Sequence, residues 1–387
     1  MMNEQILEKN VKIMFFLNIL RKGAGMINRE AAFAEELNKN GYKVSILSYF
    51  KPEMIMSPGI SVNCVYPTRY IEKFYSHPLG HFYAFFKIFL VLLWVRPKVI
   101  LVDLPGEAEW ACLFRKLFKF KVIFSYHGVA CHKFYKGDTA QKLLEIKKQG
   151  HEMLKSVDQA LVVSDFLLSE LNDINVSAFR LYNGVKEDQF YVDERIKKDP
   201  NKIVFIGRFT EYKGALNIVH SFSMVAPEFP ELTLDLYGYP ESEKYMEEIK
   251  KFIIKKHLSQ RIKIYGPIGQ EKMRAVMNEA GIFINGSTDE TFCMPLLEAQ
   301  ACGTPCVAFS AGGIPEVLID GKTGLLAEPD NVKDMAGKIK QLVSDKAFYN
   351  LCKFNTRLHV ENFKYKKLVT QLVDHIQGIL LRGRIKQ

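Results

Sequence analysis

Residues 285–324 begin Asn285-Gly-Ser-Thr-Asp-Glu290-Thr-Phe-Cys-Met-Pro295-Leu-Leu-Glu298-Ala-Gln-Ala-Cys-Gly303-Thr-Pro305. They continue through Ala311-Gly-Gly-Ile-Pro-Glu316 to Gly321-Lys-Thr-Gly324. Just before them, Ile282-Phe283-Ile284 is an apolar run suited to one buried parallel strand. Polar residues 287–291 read as a loop at its carboxyl end. Pro295 suits a first helical position, where a missing N–H costs nothing. Leu296, Leu297, Ala299 and Ala301 favour helix, and Gly303-Thr304-Pro305 stops it. The free N–H groups of that first turn face the strand end and favour an anion there. Glu298 falls within the first turn or so, placed to accept hydrogen bonds from ribose hydroxyls. Glu290 sits on the loop above. A capped helix with two surface glutamates would explain the pair alone, but not the Gly312-Gly313, Pro315-Glu316 and Gly321 to Gly324 pattern that follows.

The layout repeats upstream. Ile203 to Ile206 is a strand, followed by Gly207-Arg208-Phe209-Thr-Glu-Tyr-Lys213-Gly214. Glycine after a strand permits close backbone approach. Arg208 offers a planar fork and Lys213 a point charge, which together suit a diphosphate.

As a set, these motifs resemble the retaining glycosyltransferases of family 4: Gly207-Arg208 with Lys213-Gly214, Glu290 with Glu298, Ala-Cys-Gly-Thr-Pro and Gly-Gly-Ile-Pro-Glu. The resemblance runs from about residue 11 to residue 376. It implies an α/β chain of GT-B architecture, with two Rossmann-like domains facing across a cleft and a C-terminal helix crossing back to the first. The implied division is 1–190 plus about 365–387 on the acceptor side, and 191–364 for the nucleotide-sugar. The implied reaction moves a sugar, with retention, from a nucleoside-diphosphate sugar (UDP- or GDP-linked) to a glycan or lipid-linked acceptor in surface polysaccharide, lipopolysaccharide or glycolipid synthesis. Glu290 would contact the sugar hydroxyls and Glu298 the ribose. Arg208 and Lys213 would stabilise the leaving diphosphate. Gly207, Phe292, Cys293, Met294 and Leu296 would border the donor. No Asp-x-Asp spacing occurs, so no metal or other cofactor is implied. One departure stands out. The family commonly has Glu-Gly-Phe-Gly where this chain has Glu290-Thr291-Phe292-Cys293, and larger Cβ groups there narrow the sugar site and restrict φ.

The N-terminal half reads as a second such unit. Val11 to Leu17 is a strand, Arg21-Lys22-Gly23-Ala24-Gly25 a loop, Ala31 to Leu37 a helix and Val44 to Leu47 the next strand. No acidic residue ends that second strand, so the nicotinamide fingerprint is absent. By resemblance Gly23 and Gly25 lie at the cleft near the sugar and diphosphate. Val99 to Val102 is a strand with Asp103 at its end. Val122 to Phe124 leads to His127, which the resemblance places against the donor sugar, with His132 as a second candidate. Leu161 to Val163 is a further strand. Asn183-Gly184-Val185 closes the first domain, and residues 186–201 form a polar hinge. Val369, Leu372, Val373, Ile376, Ile379 and Leu380 recur at helical spacing.

The 387 residues suit two domains, with 48% hydrophobic and 25% charged residues and a net charge of +10. The first ten residues lack the apolar core of a secretory signal. Seven scattered cysteines form no disulfide or zinc framework, so a reduced, cytoplasmic setting is expected. No nucleic-acid motif accompanies the charge. Phe82 to Val95 is strongly apolar but shorter than the roughly 20 residues that span a bilayer. It reads either as a helix buried against the sheet or as an interfacial patch. In the second case Arg69, Lys73, Lys87, Arg96 and Lys98 would meet anionic lipid on the inner face of the membrane. Two other functions share the architecture: a nucleotide-sugar epimerase, and a nucleotide-sugar-binding subunit of weak activity.

Overall fold

The computed structural model describes residues 9–18, 25–66, 77–128 and 138–385. Arg21, Lys22, Gly23, Arg69, Lys73 and His132 lie outside them. The first half forms strands β1 (Lys12–Leu17), β2 (Lys43–Phe50), β3 (Ser61–Tyr66), β4 (Val99–Val102), β5 (Lys121–Tyr126), β6 (Gln159–Val162) and β7 (Ala178–Arg180). Its helices are α1 (Gly25–Lys39), α2 (Pro78–Val95), α3 (Pro105–Phe118), α4 (Asp138–Ser156) and α5 (Asp165–Asn172). The second half forms β8 (Asp199–Ile206), β9 (Thr233–Tyr237), β10 (Ile262–Tyr265), β11 (Ala280–Asn285), β12 (Cys306–Phe309) and β13 (Gly324–Ala327). Its helices are α6 (Ala215–Val225), α7 (Glu243–Lys255), α8 (Gln270–Glu279), α9 (Met294–Ala301), α10 (Ile314–Val317), α11 (Val332–Ser344) and α12 (Lys346–Val360), with α13 (Tyr365–Ile385) last.

The short Val/Ile/Leu/Phe runs are buried on both faces, as strands of a parallel sheet covered by helices must be. The first sheet runs β3-β2-β1-β4-β5-β6-β7 and the second β10-β9-β8-β11-β12-β13. Every pairing between named strands is parallel. Strand order reverses at β1/β4 in one sheet and at β8/β11 in the other. Those switch points are where an open α/β sheet leaves a crevice at its carboxyl edge.

At the second switch point the loops after β8 and β11 touch backbone to backbone. A Cβ on Gly214 (φ +67°) would lie 1.9 Å from the Gly286 carbonyl oxygen, and one on Gly286 would lie 2.5 Å from that of Gly214. Only a glycine pair closes this crossing, and the crossing brings Lys213 over to Glu290.

Helix α13 returns to the first sheet. Leu368, Val369, Leu372, Val373 and Ile376 join Phe15, Phe33 and Leu37 in one buried cluster. The hinge read over 186–201 is shorter than expected, because β8 already starts at Asp199.

Helix α2 corrects another reading: it has 18 residues from Pro78, not fourteen. By length and hydropathy it is long enough to cross a membrane, but Gly80, Ala84, Ile88, Leu92 and Val95 are packed into the protein core. The opposite face shows Leu79, Phe82, Phe86, Leu93 and Trp94 to solvent, beside Leu113 and Leu117 of α3. The buried reading of this segment holds for one face, and the other face carries the apolar surface that the interfacial reading requires.

Candidate functional site

The cleft between the two halves has a volume of about 920 Å³ and is lined from both sides. The first half contributes Arg29, His127, Asn183 and Lys186, and the second Arg208, Lys213, Glu290 and Glu298.

On the second side, Lys213 pairs through its ammonium with Glu290 Oε1. Ser287 Oγ donates to the same oxygen at 3.1 Å, and Asn285 Oδ1 accepts the Ser287 N–H at 2.9 Å, so the loop folds on itself. Oε2 of Glu290 has no hydrogen-bond partner among the described residues. Burial works to lower the Lys213 pKa, but Glu290 above all, with Cys293 and Tyr212, outweighs it and the pKa is raised. The lysine stays charged, with donors to spare beyond Glu290. Arg208 donates to the Tyr212 hydroxyl and lies 3.9 Å from Glu241 Oε1. Two cations thus flank the mouth of the β8 loop.

Pro295 occupies the first turn of α9, as its chemistry requires, but the helix opens one residue earlier at Met294. Glu298 is therefore its fifth residue. The carboxylate opens onto the cleft and makes no hydrogen bond among the described residues. Desolvation pushes its pKa up to about 7. Cys293 caps the helix with φ 76° and ψ 75°. The position at which the family commonly has glycine is thus in the left-handed region here, although the residue is cysteine. The Cys293 thiol is buried, and desolvation, then Glu290, hold its pKa well above the ordinary value.

Two residues read as donor neighbours do not line the cleft. Leu296 is fully buried in the core and does not line the cleft, because its position on α9 faces the sheet. Gly207 is also outside the lining, and its N–H is taken by the Tyr237 carbonyl at 2.9 Å. Phe292 borders the cleft, but its ring packs on Tyr182 and Phe363 at 5.8 and 6.0 Å between centroids. Met294 does line it. Gly25 opens α1.

On the facing wall His127 follows β5. Burial, then Arg29, push its pKa down to about 3, so the ring is neutral near pH 7. Its Nε2 lies 3.3 Å from Ser125 Oγ. That hydroxyl donates to Glu30 Oε1 at 3.0 Å and accepts from Arg29 Nη1 at 3.0 Å. Arg29 also donates to the Leu181 carbonyl at 3.0 Å. Sequence reading missed this network. The signal was present: Glu30, Phe33, Ala34 and Leu37 share one helix stripe, so a charge sits on the apolar face of α1. Asn183 was read only as part of a domain-closing turn. Its Oδ1 is buried in the cleft wall with no hydrogen-bond partner among the described residues, an acceptor open to a hydroxyl.

Comparison with known proteins matches the two halves separately. The family described as Glycosyltransferase Family 4 covers residues 25–189, and Glycosyl transferases group 1 covers 187–373. A phosphatidylinositol N-acetylglucosaminyltransferase subunit of Arabidopsis thaliana is 30% identical over 58% of this chain and 49% of its own. The chain spans 49% to 59% of the length of the first curated relatives that it matches. Among solved structures, sucrose-phosphate synthase from Thermosynechococcus elongatus aligns with TM-score 0.75 at 19% identity, over 96% of this chain and all of that one. Anabaena HepE in complex with UDP and glucose aligns with TM-score 0.72 at 16% identity, over 95% of this chain and 100% of that one. These likenesses establish the GT-B fold. The two family descriptions run end to end from residue 25 to residue 373, so nearly the whole chain resembles the family 4 and group 1 glycosyltransferases.

Proposed function

We propose that this protein is a retaining, metal-independent glycosyltransferase that uses a nucleoside-diphosphate sugar, UDP-linked in the first instance. The observation that carries the reading is the Lys213–Glu290 pair, set between Arg208 and the first turn of α9 with Glu298 in the same cleft. Glu298 receives the ribose hydroxyls. Arg208, Lys213 and the α9 N–H groups meet the diphosphate, whose charge grows as the bond from the anomeric carbon to the phosphate oxygen breaks. The bonding electrons leave with the diphosphate. An acceptor hydroxyl bonds to the anomeric carbon from the same face and passes its proton to the departing diphosphate oxygen. Glu290 Oε2 and neutral His127 orient the sugar from opposite walls. Closure of the halves excludes water, which would otherwise compete as acceptor. The UDP complexes of HepE, a protein of similar fold, support the donor class.

A panel of nucleoside-diphosphate sugars in thermal shift, with EDTA present, tests the donor. One UDP- or GDP-sugar should stabilise the wild type, and Lys213→Ala should lose at least tenfold in turnover with its fold intact. Wild-type turnover in that variant would mean the site is misplaced.

The acceptor reading rests on a different observation, the exposed apolar ridge of α2 and α3. Lys87, Arg96, Lys116 and Lys119 lie on the same two helices or at their ends. Such a surface suits contact with the anionic inner face of a membrane and a lipid-linked acceptor in surface glycan or glycolipid synthesis. The Arabidopsis relative is named for a phosphatidylinositol substrate.

A further inference from the structure

Glu316 does not line the cleft, yet it joins the two halves. Its carboxylate accepts the Asp165 N–H on Oε2 at 2.7 Å and the Phe166 N–H on Oε1 at 2.9 Å. Both donors belong to the first turn of α5 in the first half, and Glu316 is on α10 of the second. The next N–H, that of Leu167, is taken locally by Ser164 Oγ at 3.2 Å. The start of α5 is thus satisfied partly by its own cap and partly by a residue 151 positions away. Orphan N–H groups and the helix dipole both favour a carboxylate there, and ionised acceptors make the stronger bonds.

Just before α10 lies the turn that holds the catalytic loop. The Gly313 N–H donates to the Glu290 carbonyl at 2.9 Å. A Cβ on Gly312 (φ +54°) would lie 2.0 Å from that carbonyl oxygen, and one on Gly313 would lie 2.3 Å from the Thr291 carbonyl and 3.2 Å from Ser164 Cβ. The Gly-Gly turn is therefore wedged between the Glu290 loop on one side and the α5 cap on the other. Whatever holds Glu316 against α5 also presses this turn onto Glu290.

We propose that Glu316 is an interdomain clasp and a positioning residue: by capping α5 from the opposite half it holds the cleft closed and sets the backbone of Glu290 for the reaction. The role rests on the glycosyltransferase reading for its chemistry but not for its geometry. The clasp acts on closure and not on the nucleotide, because Arg208, Lys213, Glu298 and α9 all belong to the second half.

The test compares wild type with Glu316→Gln and Glu316→Ala, using Ser164→Ala as a control for helix capping alone. Glu316→Gln keeps the shape but presents an NH₂ to one of the two N–H donors. Amide hydrogen exchange in the ligand-free protein should show Asp165 and Phe166 losing protection at least tenfold in both Glu316 variants, with a larger radius of gyration by small-angle scattering. On UDP-glucose, or on whichever donor the thermal-shift panel identifies, kcat should fall at least tenfold. The Kd for UDP should stay within threefold, and hydrolysis should rise relative to transfer. Ser164→Ala should lower Tm and leave that partition unchanged. Unchanged protection at both amides overturns the clasp. Lost protection with unchanged kcat and partition overturns its catalytic part and leaves a plain cap. If the wild type binds no UDP or other nucleotide, the donor reading fails, and exchange and scattering alone decide the clasp.

Discussion

Glu298 carries the clearest electrostatic consequence at the scale of one residue. Its folded pKa of about 7 lies above the ordinary 4.5 because burial disfavours the charge. The folded state therefore holds this proton more tightly than the unfolded chain. The associated stability is fully present below pH 4.5 and is lost as the pH rises through 7. Allowing for the opening onto the cleft, that loss is on the order of 2 kcal/mol. Urea unfolding should show wild type losing more stability between pH 5 and pH 8 than Glu298→Gln, in which buried Glu107, its pKa also raised to about 7, still titrates. Nucleotide affinity should run the other way. If ribose hydroxyls donate to the ionised carboxylate as proposed, the Kd of UDP should fall more steeply from pH 6 to pH 8 in the wild type than in Glu298→Gln. Cys293 carries a conformational consequence. A non-glycine residue in the left-handed region costs roughly 1–2 kcal/mol, and its buried thiol returns a comparable amount. Cys293→Gly should therefore change Tm by only a few degrees while widening the range of donor sugars in the thermal-shift panel. These residues were legible from the glutamate spacing and the Glu-Thr-Phe-Cys departure. Arg29 and Asn183 were not read as cleft residues, because the fold brings them to its wall.

Among elements, α2 shows how one apolar segment can serve two surfaces. Its buried residues recur every three or four positions and pack on the core, which a spanning helix could not do while keeping the fold. The other face is held firm by α3, with Phe85 and Phe114 centroids 4.9 Å apart and Phe89 and Phe118 at 5.5 Å. The exposed rings of the ridge face away from the core. Phe82→Ser with Trp94→Ser should abolish co-sedimentation with anionic vesicles at low salt and leave turnover on a soluble acceptor within twofold. Unchanged sedimentation would remove the membrane reading. The existence of this helix was visible in the sequence. Its start was not, because Pro78 and the His77 side chain that accepts the Leu79 N–H set it by capping rather than by hydropathy.

For the whole molecule, α13 ties the last residues to the first sheet. Leu372 is fully buried in the cluster with Phe15 and Phe33. Leu372→Ala should cost about 2–5 kcal/mol, read by urea unfolding, although it lies far from the cleft. The clasp at Glu316 acts at the same scale, since it joins two halves that each have their own sheet and core.

The sequence by itself determined the strands of the two parallel sheets, the helix that follows the β11 loop and the presence of Arg208 and Lys213 after β8. These follow from local rules: apolar runs bounded by glycine and proline, and residue types that suit a diphosphate. Only the tertiary structure decided what faces the cleft. It turned Leu296 into the core and Phe292 against Tyr182. It brought Lys213 onto Glu290 through a crossing that only Gly214 and Gly286 allow, and it set Glu316 on a helix 151 residues away. Pattern and propensity act over a few residues, whereas a cleft is made where two independently packed halves meet, and nothing local encodes which side chains will be opposite one another there.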